Sequence, residues 1–213
     1  LLVIKEFSSL KEKIIPQKKR RVIQLNKPLK FLFIGRTASG KSSIAKAVCE
    51  KMGLTQVVSY TTRPMRKSEK NGSDHIFISD EDVPKYENDI AAYTEINGYK
   101  YFTTYDAIDK SDIYVIDPIG VDNLKIKCGD RYEFVEIYIR TPQKLSETRA
   151  RVRGDKLKDF KQRWVSENQM FTDYENRHTF AWHLRNDRPF DESVDKVCKW
   201  IQIEIAKRNE VVE

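Results

Sequence analysis

The residues best suited to chemistry lie at Gly35-Arg36-Thr37-Ala38-Ser39-Gly40-Lys41-Ser42-Ser43. Their spacing is G-x-x-x-x-G-K-S, a short loop between two glycines followed by a lysine and hydroxyls. Such a loop turns successive backbone N–H groups, here those of residues 37 to 42, toward one point. The positive end of a following helix strengthens the field there, so the cradle suits phosphate oxygens. Lys41 brings a compact charge to the outer phosphates, and the Ser42 hydroxyl is a suitable ligand for Mg²⁺. Gly35, Thr37, Ala38, Ser39, Gly40 and Ser43 complete the expected nucleotide-binding set. The motif implies a bound nucleoside triphosphate with Mg²⁺ and does not by itself choose between an NTPase, a GTPase and a kinase.

Positioning that loop requires a strand before it and a helix after it. Phe31-Leu32-Phe33-Ile34 is apolar without alternation, as in a strand buried on both faces of a parallel sheet. Ile44, Val48 and Met52 then recur at helical spacing, with Gly53 as the stop. Further strands are expected at Gln56–Ser59, His75–Ser79, Ile113–Ile116, Phe134–Ile139 and Phe180–Leu184. A helix start is expected at Ser79, and helices over Val121–Lys127, Leu145–Arg153 and Asp159–Tyr174. Gly154 separates the last two, and a closing helix aligns Val194, Val197, Cys198, Ile201 and Ile205. Asn97-Gly98 between Ala91–Ile96 and Tyr99–Thr103 is a strong hairpin signal. The pattern is α/β: a three-layer fold with a mostly parallel sheet and a small hairpin-containing insertion over about residues 59–104.

Composition narrows the classes. The 213 residues contain no apolar run of membrane-spanning length, so no membrane partner is expected. Cys49, Cys128 and Cys198 are odd in number and widely spaced, which reads as buried thiols in a reducing cytoplasm. The net charge is +7, yet residues 1–30 carry nine basic and two acidic side chains, so the remainder is balanced at 30 of each. The excess is an amino-terminal arm over residues 1–29, densest at Lys18-Lys19-Arg20-Arg21. It offers a surface to nucleic acid, although short basic runs are more often solvated surface. Within the arm, Glu6–Ile14 can form a short helix and Val22–Leu25 a short strand.

Asp117 ends an apolar strand, where a carboxylate can hold a water of the Mg²⁺ shell or accept a substrate hydrogen bond. Asp117-Pro118-Ile119-Gly120 also matches the D-x-x-G of a GTPase, but no N-K-x-D base-reading segment follows downstream. Two arginine groups flank the presumed cleft, Arg63 with Arg66 and Arg149, Arg151 and Arg153 with Arg163. Guanidinium groups grip phosphate in bidentate fashion, so two groups suit a kinase whose acceptor is itself a phosphate.

The stretch Ser59-Tyr60-Thr61-Thr62-Arg63-Pro64-Met65-Arg66-Lys67-Ser68-Glu69-Lys70-Asn71-Gly72-Ser73-Asp74-His75-Ile76-Phe77 resembles the acceptor-binding signature of guanylate kinases, S-x-T-T-R-x-x-R-x-x-E-x-x-G-x-D-Y-x-F. With the other motifs, the resemblance spans residues 31 to about 208. It implies a P-loop kinase domain over residues 30–213 that phosphorylates GMP or dGMP from MgATP, with an Arg-rich lid over about 149–163. It implies further that Arg63, Arg66 and Tyr101 bind the acceptor phosphate, with Glu69 and His75 in the same signature. Ser59, Thr103 and Asp117 would line the purine, Arg149, Arg153 and Arg163 would join Lys41 in catalysis, and Asn186 would sit at the lid's base. His75 stands where the family has a tyrosine, and Ala92 and Val115 where it has base-reading acids. Glu95 is nearby, but its odd offset from position 92 faces it away on a regular strand unless a bulge re-aims it. Those departures leave a kinase of another phosphorylated acceptor, such as a ribose phosphate, or a non-catalytic binding module as the competing classes.

Overall fold

The computed structural model describes residues 27–67 and 69–210, so the expected short helix and strand of the amino-terminal arm lie outside them. Strand β1 (Leu29–Ile34) is central because both of its faces are covered. Phe31 and Phe33 point into one core with Ile44 and Val48 of helix α1 (Lys41–Met52). Leu32 and Ile34, the alternate positions, point into a second core beneath other helices. That double burial explains the unbroken apolar run.

Helices α2 (Tyr105–Asp109), α3 (Pro118–Cys128), α4 (Gln143–Val152), α5 (Leu157–Arg177) and α6 (Phe190–Glu210) connect or flank the strands. Strands β6 (Ile113–Ile116), β7 (Glu133–Arg140) and β8 (Trp182–Arg185) join β1 in the order β6-β1-β7-β8, all parallel. Val197 and Ile201 of α6 close the first core, while Val121, Leu124, Phe171 and Tyr174 of α3 and α5 close the second. The result is the expected three-layer α/β sandwich. Ile205 departs from the expected stripe at 37% exposure, beyond the reach of the sheet. Cys128 and Cys198 are buried, Cys49 is half-buried, and all three are free thiols. Among the described residues no helix is long and apolar enough to cross a membrane.

A second sheet runs in the order β3-β2-β5-β4, from β2 (Tyr60–Thr61), β3 (Ile76–Phe77), β4 (Ile90–Ile96) and β5 (Tyr99–Thr104). Asn97 and Gly98 both hold positive φ, 52° and 76°, the pair a two-residue type I′ hairpin demands. Two expectations change here. Gln56–Ser59 makes only an isolated bridge, Gln56 to Ile113, because the chain leaves the first sheet at once for the second. Ser59 O already accepts from the Ile76 amide at 2.9 Å, and Tyr60 pairs with Phe102. The helix expected from Ser79 is a 3₁₀ segment over Asp80–Asp89, with Pro84 inside it lacking the amide a longer helix needs.

Candidate functional site

The loop after β1 is shaped from behind. Ser39 O accepts hydrogen bonds from Asn186 Nδ2 at 2.7 Å, Thr141 Oγ1 at 2.9 Å and Arg149 Nη1 at 3.2 Å. With that carbonyl held outward, the neighbouring amides turn toward the opposite side. Gly40 then begins α1 at φ 88°, and a Cβ on it would lie 2.6 Å from Asn186 Nδ2, so no other residue fits. Asn186 is itself fixed, its amide to Arg140 O at 2.8 Å and its Oδ1 accepting from Ser193 Oγ at 3.1 Å.

Two expectations are corrected at this loop. Arg149, expected on the donor phosphates, is a strut: besides Ser39 O it reaches Asn186 O at 3.1 Å and Thr141 Oγ1 at 3.4 Å. It lies one layer behind the cavity because three polar partners there outcompete solvent for its donors. The Thr37 amide, expected to face phosphate, donates instead to Glu167 Oε2 at 2.8 Å. Glu167 is 3% exposed, and its Oε1 accepts from Arg163 Nε at 2.7 Å. Sequence reasoning missed Glu167. Its signal was its place in the stripe Phe160, Trp164, Glu167, Phe171, Tyr174, a carboxylate where helical spacing calls for an apolar side chain.

Lys41, Ser42, Ser43, Gly35, Thr37 and Ala38 line a cavity of about 390 Å³. Ser39 and Gly40, also expected on the nucleotide, are not among the residues lining it. Lys41 Nζ donates to Arg36 O at 3.1 Å. Burial pulls its pKa down to about 8, with the positive charges of Arg163 and Arg153 pulling the same way and Glu167 opposing them. Arg153 and Arg163 share this cavity with Lys41. Arg151, by contrast, pairs with Glu147 on the exposed helix face.

The same cavity is lined by Arg63 and Arg66. Glu69 braces both: it accepts from Arg63 Nη1 at 3.0 Å and Nη2 at 2.8 Å, and from the Arg66 amide at 2.8 Å and Nη1 at 2.9 Å. Burial alone would raise the Glu69 pKa, but these bonds and charges hold it down at about 2. Glu69 was expected on the acceptor; its oxygens are instead engaged by the arginines, because an anion has no attraction for a carboxylate. Arg63 Nε is buried without a hydrogen-bond partner. Asp155, between α4 and α5, reaches both Arg153 and, at 3.5 Å, Arg66 Nε.

His75 Nδ1 lies 3.0 Å from Ser59 Oγ, and Tyr101 sits edge-on to His75 at 6.1 Å. Burial, aided by Arg63, lowers the His75 pKa to about 4, so the ring is neutral near pH 7. Asp117 caps α3, its Oδ1 accepting from the Gly120 amide at 3.0 Å, and burial raises its pKa. Thr103 is wholly buried behind the cavity wall opposite Ala92. Ala92 and Val115 line the cavity directly. The only register irregularity of the hairpin falls between Ile90 and Ala92, before Glu95, so Glu95 stays exposed opposite Lys100. A separate cavity of about 300 Å³, bounded by Arg36, Arg140, Trp164 and Glu175, contains none of Lys41, Arg63 and Arg66.

No cluster of three or more metal-ligating side chains occurs among the described residues. Mg²⁺ does not need one, since it is usually held by phosphate oxygens, waters and one or two protein oxygens. The Ser42 hydroxyl, lining the cavity beside Lys41, fits that demand.

A phosphate-binding loop and a braced guanidinium pair opening into one cavity, on a parallel α/β sheet, define a P-loop kinase of phosphorylated small molecules. Comparison with known proteins narrows the class. Residues 28–204 match the family model described as guanylate kinase. The guanylate kinase of Nitrobacter winogradskyi is 24% identical over 194 residues, covering 84% of each chain. That of Koribacter versatilis is 28% identical over 191 residues, covering 84% of this chain and 80% of the other. That of Rubrobacter xylanophilus is 32% identical over 126 residues, covering 56% of this chain and 65% of the other. The crystal structure of guanylate kinase from Anaplasma phagocytophilum has the same fold, with a TM-score of 0.60, 22% identity, and coverage of 84% of this chain and 87% of that one. The chain belongs to the guanylate kinase family.

Proposed function

We propose that this protein transfers the terminal phosphate of MgATP to a nucleoside monophosphate, GMP or dGMP foremost, releasing ADP and the nucleoside diphosphate. The observation that carries this reading is the shared cavity, lined by Lys41 and Ser42 of the loop and helix and by Arg63 and Arg66. Residues 30–213 form the kinase unit in this reading, with acceptor contacts in 59–104 and the lid in 149–163.

Arg63 and Arg66 hold the acceptor phosphate, with His75, Ser59 and Tyr101 beside it. An oxygen of that phosphate attacks the terminal phosphorus of ATP, and the bond to the bridging oxygen breaks to release ADP. The attacking group is already an anion, so no general base is required. Lys41, Arg153 and Arg163 stabilise the charge that spreads over the transferring group. Ser42 would hold Mg²⁺, which would supply charge neutralisation at the donor phosphates. The lid excludes water, directing phosphate to the acceptor rather than to hydrolysis. Free thiols throughout fit a cytoplasmic enzyme.

The test is a panel of nucleoside monophosphates and ribose phosphates in a coupled ADP-release assay, with wild type and Lys41→Met. Wild type is expected to turn over GMP, and Lys41→Met to lose about 10³-fold in kcat with its circular dichroism unchanged. A Lys41→Met protein within tenfold of wild type refutes the assignment.

A further inference from the structure

Thr94 stands out among the buried polar groups. It is 4% exposed, it lines the cavity, and its hydroxyl has no hydrogen-bond partner. It lies beside the Asp117 carboxyl without meeting hydrogen-bond geometry to it. A buried hydroxyl left without a partner costs stability and rarely persists unless something else completes it. Thr94 lies two positions after Ala92 along β4, with only Tyr93 between them, so both side chains share one face. On the paired strand, Thr103 stands opposite Ala92, and its hydroxyl is also orphaned. Ala92 and Val115 contribute only apolar surface, and one Asp117 oxygen is already taken by the Gly120 amide. The lining around Ala92 and Val115 therefore presents the Asp117 carboxylate and the Thr94 side chain, with Thr103 one layer behind.

We propose that Thr94 reads the acceptor base, and that the pocket takes 6-oxopurine monophosphates as a class, IMP as well as GMP; this rests on the function proposed above. A threonine hydroxyl can donate to the O6 of such a base, and an ionised Asp117 oxygen can accept its N1–H. Adenine offers a lone pair at N1, which faces Asp117 unfavourably. Guanine and hypoxanthine differ only in the exocyclic 2-amino group. With Ala92 and Val115 apolar, no side chain is dedicated to that amine. A site that does dedicate a buried group to a polar substituent rejects the analogue lacking it by about 10⁴-fold or more. Here that discrimination is absent.

The test measures kcat and KM for GMP, IMP and AMP in wild type, Thr94→Val and Thr94→Ser, with thermal unfolding of each. Wild type should handle GMP and IMP within about a hundredfold in kcat/KM, with AMP far weaker. Thr94→Val should raise the GMP and IMP KM about tenfold, the worth of one hydrogen bond. Its KM for ATP should not move, and its melting temperature should not fall, because the removed hydroxyl had no partner in the fold. Thr94→Ser should restore binding. An unchanged acceptor KM in Thr94→Val, or a wild-type preference for GMP over IMP beyond a hundredfold, overturns the proposal. A wild type that binds MgATP yet phosphorylates no nucleoside monophosphate overturns the function it rests on, and the base reading with it.

Discussion

Replacing Glu167 by Gln tests the coupling between the phosphate loop and the arginine above it. The carboxylate joins the Thr37 amide at 2.8 Å to Arg163 Nε at 2.7 Å, and its side chain is 4% exposed. A glutamine has one acceptor oxygen for two donors, so one contact is lost or its NH₂ confronts a donor. Removing one member of a buried ion pair costs about 3 kcal/mol, because the other charge is left uncompensated. In a domain of this size that corresponds to a fall of about 6–12 °C in melting temperature. A second readout is more specific. The Glu167 charge holds up the Lys41 pKa, which burial has already brought down to about 8. Without it, Lys41 loses its proton at lower pH. The basic limb of the kcat/KM profile for ATP, set by deprotonation of Lys41 in the free enzyme, should therefore move toward neutrality. Differential scanning calorimetry and initial rates from pH 6 to 10 measure both effects. Wild-type melting together with an unmoved basic limb would refute the reasoning.

Two further outcomes follow from the same contacts. The His75 pKa is about 4 in the fold against 6.5 for a free imidazole, so the unfolded chain takes up the proton first as pH falls. Stability should drop by about 3 kcal/mol between pH 6.5 and 4, and Glu69, at about 2 against 4.5, should extend the loss toward pH 2. Urea midpoints across that range check this, and His75→Asn should flatten the portion above pH 4. Arg149→Lys removes the fork that ties Ser39 to Asn186, and should raise the KM for ATP about tenfold while leaving acceptor KM unchanged; equal changes in both constants would show that Arg149 is not confined to the loop.

Much of the scaffold could be read in advance because its signals are local. The apolar run before Gly35, the Asn97-Gly98 turn and the helix stop at Gly53 each combine backbone preference with burial in a few residues. Gln56–Ser59 failed because its partner choice depends on β3 and β5, distant in sequence and invisible to periodicity. Of the candidate site, the loop and the acceptor arginines were legible as motifs. Arg149 was not, because an arginine on a helix gives no indication of which neighbour its long side chain will reach. Glu167 was not legible either, because a carboxylate four positions from Arg163 gives no indication that packing turns the pair inward, where the Glu167 side chain is 4% exposed.

The Ser39 carbonyl gathers donors from the turn after β7, from α4 and from the residue following β8. The loop begins near residue 35, yet its shape is completed by Asn186, 147 positions beyond Ser39. A growing polypeptide on the ribosome therefore carries the whole motif long before it can grip a nucleotide. Nucleotide capture would thus mark the moment when the far end of the chain has docked, making ligand occupancy a reporter of complete folding.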